Sequence, residues 1–176
     1  MRSIALPLTF LLPCSALATT VLALSEDELA ARADSIVVAH VTAVRTVVHP
    51  GGRVATAASL EVQESLKGAP AGATLTLEVP GGVVDGVVFA AVGAPSLSPG
   101  SLVFGYFETH GSVCRPLGLA YGLYQVLGDD WMAHRDLRGL ALVTPGGEPA
   151  DGAVARGPEP LASLLERVRR QVGGAP

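Results

Sequence analysis

Hydrophobic and polar positions in this chain change period several times, and each change marks an element. Ser25-Glu26-Asp27-Glu28 has the S-x-x-E form of a helix capping box, with acids in the first turn. Leu29, Ala30, Ala33 and Ile36 follow as a modest apolar stripe, which predicts a short helix ending near Asp34. Ile36 to Val44 is dense in β-branched residues and predicts a strand. Pro50-Gly51-Gly52 turns the chain, and Arg53–Leu66 reads as the returning strand. There Leu60 and Val62 alternate with Ser59, Glu61 and Gln63, so one face is buried and one wet. Gly68 through Gly72 turns again before Ala73–Val79, where Thr74, Thr76 and Glu78 alternate with Leu75, Leu77 and Val79.

Pro80-Gly81-Gly82 breaks that strand. Between Val83 and Tyr106 only Asp85 is charged, and Val87–Val92 reads as a buried strand. Gly93-Ala94-Pro95 through Pro99-Gly100 is a loop, and Leu102–Phe107 another strand. After Gly111-Ser112, the stretch Val113–Leu127 interleaves Leu117, Leu119, Tyr121, Leu123 and Val126 with Gly118 and Gly122, which suggests bulges or a tightly curved sheet. A last strand-like stretch spans Trp131–Val143, around His134-Arg135-Asp136. Six or seven short strands with frequent turns predict a mainly β fold, an antiparallel barrel or sandwich. Thr144–Pro160 has four Gly and four Pro in 17 residues and no period, so it reads as a linker. Pro160 is placed for position N1 of a closing helix, and Leu161, Leu164, Leu165, Val168 and Val172 share one face. Glu159 lies at its positive end, and Arg167, Arg169 and Arg170 at its negative end.

Composition changes this picture at the N-terminus. The 176 residues are 49% hydrophobic and only 16% charged, with a mean hydropathy of +0.44. Part of this comes from Ile4–Leu24, an uncharged run behind Met1-Arg2-Ser3 that ends in two small-residue patterns, Ala16-Leu17-Ala18 and Val21-Leu22-Ala23. That is the form of a secretory signal peptide over residues 1–23, cleaved after Ala18 or Ala23. An uncleaved anchor or a buried N-terminal element are the alternatives, and Pro7 and Pro13 interrupt a spanning helix. The expected organisation is then a β domain over 24–143, the linker over 144–160, and a helix and tail over 161–176. The chain is exported (periplasmic, envelope-bound or secreted), with no stable membrane insertion after cleavage. Cleavage removes Arg2 and takes the formal charge from −4 to −5, which disfavours nucleic-acid binding. It also removes Cys14, so Cys114 remains as a single thiol with no disulfide or Cys-based zinc site, reading as a buried small hydrophobe or a free reactive thiol.

The candidate chemistry is sparse. No nucleophile elbow, P-loop, Rossmann fingerprint, H-E-x-x-H or EF-hand loop appears, so no cofactor or metal is implied. His40, His49, His110 and His134 are scattered. His134 and Asp136, two residues apart on a predicted strand, share a face and form the one candidate acid/base pair, against the alternative of a surface ion pair. Gly81, Gly82, Gly93 and Pro95 are candidate ligand-loop residues, although turn chemistry alone accounts for them.

The strand starts and turns carry a resemblance. Ala33-Asp34-Ser35-Ile36-Val37-Val38, Val62-Gln63-Glu64-Ser65-Leu66-Lys67-Gly68, Pro80-Gly81-Gly82, Gly93-Ala94-Pro95 and Gly100 together resemble a group of exported, largely uncharacterised bacterial proteins. The first half is also similar to the netrin-like, OB-type barrel of tissue inhibitors of metalloproteinases, which carry a like "AD-I-V" strand and "L-K-G" turn. The resemblance spans about residues 25–127 and implies a small OB-like barrel and export. It does not carry the inhibitory mechanism: those inhibitors chelate zinc through an N-terminal cysteine, and neither Thr19 nor Leu24, the two expected mature N-termini, is one.

These features favour an exported, non-enzymatic binding module engaging a protein or a cell-envelope component. A secreted hydrolase using His134 and Asp136, and an envelope-anchored structural protein, are the alternatives.

Overall fold

In the computed structural model, which describes residues 18–150 and 157–174, the capping box at Ser25 is formed. Its hydroxyl accepts from the Glu28 amide, and the Glu28 carboxylate accepts from the Ser25 amide at 2.8 Å. It opens helix α1 (Glu26–Arg32), which follows a short strand β1 (Thr19–Leu22). The next strands are β2 (Ser35–Val48), β3 (Val54–Lys67) and β4 (Thr74–Pro80), then the short pair β5 (Gly82–Val84) and β6 (Val87–Phe89). β7 (Leu102–His110) and β8 (Val113–Pro116) lead through a 3-10 turn (Leu119–Gly122) to β9 (Leu123–Leu127), β10 (Met132–His134) and β11 (Leu140–Val143). A two-residue β12 (Glu159–Pro160) feeds helix α2 (Leu161–Gly173). The segment expected as a signal peptide lies outside the described residues up to position 17, and so do positions 151–156 of the expected linker.

The main sheet has the order β12-β10-β9-β7-β2-β3-β4-β8. It does not close into the expected β-barrel. β8 is the return arm of a hairpin with β7, in register from Phe107↔Pro116 to His110↔Val113. It meets β4 at a single parallel pair, Leu77↔Cys114. One pair is a touch between edges and not a ladder, because β8 has four residues and Gly118, at φ +67°, then turns the chain away. Across β7 from β2 the sheet runs on through β9, β10 and β12. The outcome is a mainly β, sandwich-like fold with a short N-terminal helix and a longer C-terminal one.

β2 shows why the sheet is covered on both sides. Ile36 and Val38 enter one core with Leu29, Phe104, Tyr124 and Leu164, beneath the helices. Val37 and Ala39 enter a second core with Leu60, Leu77, Phe107 and Cys114, inside the curl of the sheet. A strand buried on both faces reads as an unbroken apolar run. α2 lays Leu161, Leu164, Leu165 and Val168 on the first core, and Pro160 is its N-cap, one position before the expected N1. No helix among the described residues is long and apolar enough to cross a membrane.

Three further expectations are corrected. Val113–Leu127 is not one curved strand, since the left-handed Gly118 and the 3-10 turn split it into β8 and β9. Trp131–Val143 is likewise two strands, separated by a turn in which the Leu140 amide donates to the Leu137 carbonyl at 3.0 Å. Val87–Val92 does not form a buried strand. Its first three residues form β6, outside the main sheet and exposed.

Candidate functional site

The end of β4 is where unusual features converge. Val83-Val84-Asp85-Gly86-Val87-Val88 folds into a tight hairpin, with Asp85 at φ +49° and Gly86 at φ +78°. Two successive left-handed residues make the type I′ turn that matches strand twist. The hairpin is fixed at its base only. The Thr56 hydroxyl donates to the Gly81 carbonyl at 2.8 Å, and the Thr46 hydroxyl accepts from the Val83 amide at 3.2 Å. Beyond that base the side chains stand in solvent: Val88 is 70% exposed and Phe89 45%, with Val83 and Val87 similar. A two-stranded ribbon is marginal alone in water, and a clustered apolar surface on a folded chain marks an interaction site. A groove of about 350 Å³ runs under it, lined by Arg45, Thr46, Thr56, Gly82, Phe89 and Pro95 among others.

A second, smaller cleft of about 310 Å³ shares Val79 and Pro80 with that groove. At its floor Glu78 is only 5% exposed, although alternation along β4 turns it away from Leu77 and Val79. Its Oε2 meets His49 Nε2 at 2.8 Å, and its Oε1 meets Arg115 Nη2 at 3.0 Å and Arg53 Nη1 at 3.3 Å. Burial pushes the Glu78 pKa up, but the hydrogen bond from Arg115 and the charge and hydrogen bond of His49 outweigh it and hold it below the usual value. Glu108 lines the same cleft and is bridged at 3.0 Å by His110.

Of the ligand-loop candidates, Gly81, Gly82 and Pro95 line the hairpin groove together. Gly93 does not; its carbonyl accepts from the Ala120 amide at 3.1 Å. β10 ends at His134, which leaves Asp136 in the following loop and not on the same strand face. The Asp136 carboxylate is held by the Arg138 guanidinium at 2.6 and 2.9 Å, and those hydrogen bonds lower its pKa to about 2. No hydrogen bond joins it to His134. The residue between them, Arg135, is buried with its guanidinium 4.1 Å from the Tyr124 ring centroid and 4.7 Å from that of Tyr121. Cys114 is buried in the second core, and burial pushes its thiol up to about 12. No group of metal-ligating side chains occurs among the described residues.

No family model, curated protein or solved structure matches this chain. The site has to be read from its own geometry.

Asp34, Lys67 and Gly68 meet in space, and they do so for structural reasons. A Cβ on Gly68 would run into the Asp34 carbonyl. Asp34 Oδ2 accepts from the Thr109 amide at 2.7 Å, and the Lys67 ammonium donates to the Ala30 and Ala31 carbonyls at the end of α1. Two of the three arginines of α2 are also engaged. Arg167 donates to both Glu26 and Glu159 within 3.0 Å, and Arg169 pairs with Glu64. A larger groove of about 880 Å³ between α1 and α2 therefore has its inner cations, Lys67 and Arg167, already bonded within the fold.

Proposed function

We propose that this chain is an exported, non-enzymatic binding module that engages a protein through the β5–β6 hairpin. The observation that carries this reading is the hairpin itself, an ordered ribbon of Val83, Val87, Val88 and Phe89 held in water by two threonine hydrogen bonds at its base. Folding gains nothing from leaving these side chains exposed, whereas an association that takes their apolar surface out of water does. Export is supported by the uncharged, small-residue-terminated segment behind Arg2. Likeness to the exported netrin-like group, through the Asp34 and Gly68 motifs, belongs to the same reading.

Site-specific photo-crosslinking in the producing cell tests it. A photoreactive residue at Val88 should give a discrete protein adduct that the same residue at Glu166, on the exposed face of α2, does not, and Phe89→Ser should abolish it. Identical adduct patterns from both positions would refute the hairpin as the binding element.

A further inference from the structure

The hairpin groove and the Glu78 cleft both include Val79 and Pro80 in their linings, so they lie at the same end of β4. Resting on the reading above, we infer that the Arg53–Arg115 cleft binds a carboxylate of the docked protein, and that the partner is an acidic, apolar stretch of polypeptide lying across the end of β4. Glu78 is buried and engages only one nitrogen of each guanidinium, Nη1 of Arg53 and Nη2 of Arg115. A guanidinium has five N–H donors, so most of both forks stay unused. Arg53 is 55% and Arg115 37% exposed in the side chain, which leaves those donors open to the cleft. A buried anion thus holds two half-exposed cations side by side, the arrangement that receives a carboxylate with paired N–H bonds.

Arg53 and Arg115 balance Glu78 and Glu108 in the cleft, and Arg45 in the groove offsets Asp85 in the hairpin turn, so this end is neutral in a chain whose formal charge is −4. The cleft wall also carries Leu119 at φ +59°, a left-handed conformation that leucine takes only where its surroundings impose it. A carboxylate arriving on an apolar segment would complete the cleft while its side chains cover Phe89 and Val83.

The test uses the exported chain with ¹⁵N-labelled arginine and amide positions and two probes, N-acetylphenylalanine and its uncharged amide. The carboxylate probe should move the Nε signals of Arg53 and Arg115 saturably, together with the Gly82 and Phe89 amides. The amide probe should move the hairpin signals alone. Arg53→Gln and Arg115→Gln should each weaken carboxylate binding about tenfold, the loss of a charge-assisted hydrogen bond. Arg53→Lys, which keeps the charge and the fold but not the fork, should weaken it as well. Equal binding of both probes, carboxylate-driven shifts elsewhere, no arginine shift at all, or stronger displacement of these signals by inorganic phosphate would each overturn the inference. None of those results touches the hairpin crosslink, so the two readings fail separately.

Discussion

Glu78 keeps its charge while 5% exposed because His49, Arg53 and Arg115 surround it. A buried carboxylate without partners would neutralise itself. Its folded-state pKa lies below the ordinary value of 4.5, so the stabilisation it gives is complete above that value and is lost as pH falls through the folded one. Glu78→Gln should cost about 2 kcal/mol at neutral pH, less than a fully buried broken pair because the arginines keep contact with water. In urea unfolding the gap between variant and parent should narrow as pH falls below 4.5 and through the lower folded-state value. Parallel pH profiles would show that Glu78 is not charged in the folded chain. None of this was legible along the sequence. Period-two alternation puts Glu78 on the face opposite Leu77, but His49 and Arg115 lie 29 and 37 residues away. Gly81, Gly82 and Pro95 were legible, because turns demand those residue types whatever lies next to them.

Elements with local signals came through clearly: the capping box starts α1 where Ser25 and Glu28 place it, and β2, β3, β4 and β7 follow their apolar runs. The hairpin did not. Asp85-Gly86 between valine pairs is a hairpin signal, yet Val87–Val92 has the composition of a buried strand, and side-chain type alone cannot say which face water reaches. β1 makes a testable contribution. It pairs in parallel with β11, from Thr19↔Leu140 to Leu22↔Val143, buries Val21, and its Thr19 hydroxyl donates to the Val92 carbonyl at 2.8 Å. A chain beginning at Leu24 should be about 2–3 kcal/mol less stable than one beginning at Thr19, from the lost valine burial and ladder. Urea midpoints compare them directly, and equal midpoints would show that β1 contributes nothing. On this account cleavage after Ala18 leaves the fold whole, whereas cleavage after Ala23 removes a strand.

Across the whole molecule, the strand pattern was enough for a mainly β fold with a helix at each end but not for how the sheet finishes. Whether an edge closes depends on register between distant strands, and here β8 reaches β4 at Leu77↔Cys114 alone. Cys114 therefore reports on that join. With its thiol pushed up to about 12, the thiolate fraction at neutral pH is roughly a thousandfold below that of an unfolded cysteine. A bulky thiol reagent should accordingly label the native chain at least about a hundredfold more slowly than the chain in urea, burial and the raised pKa acting together. Comparable rates would mean that the β4–β8 edge opens freely. The pairing of β1 with β11 has another consequence, one of time. Thr19–Leu22 leaves the ribosome long before Leu140–Val143 exists. Contacts this far apart in sequence form late because the loop between them must first be closed. The first strand among the described residues is among the last to dock, and until then its edge and that of β11 are both open to wrong partners.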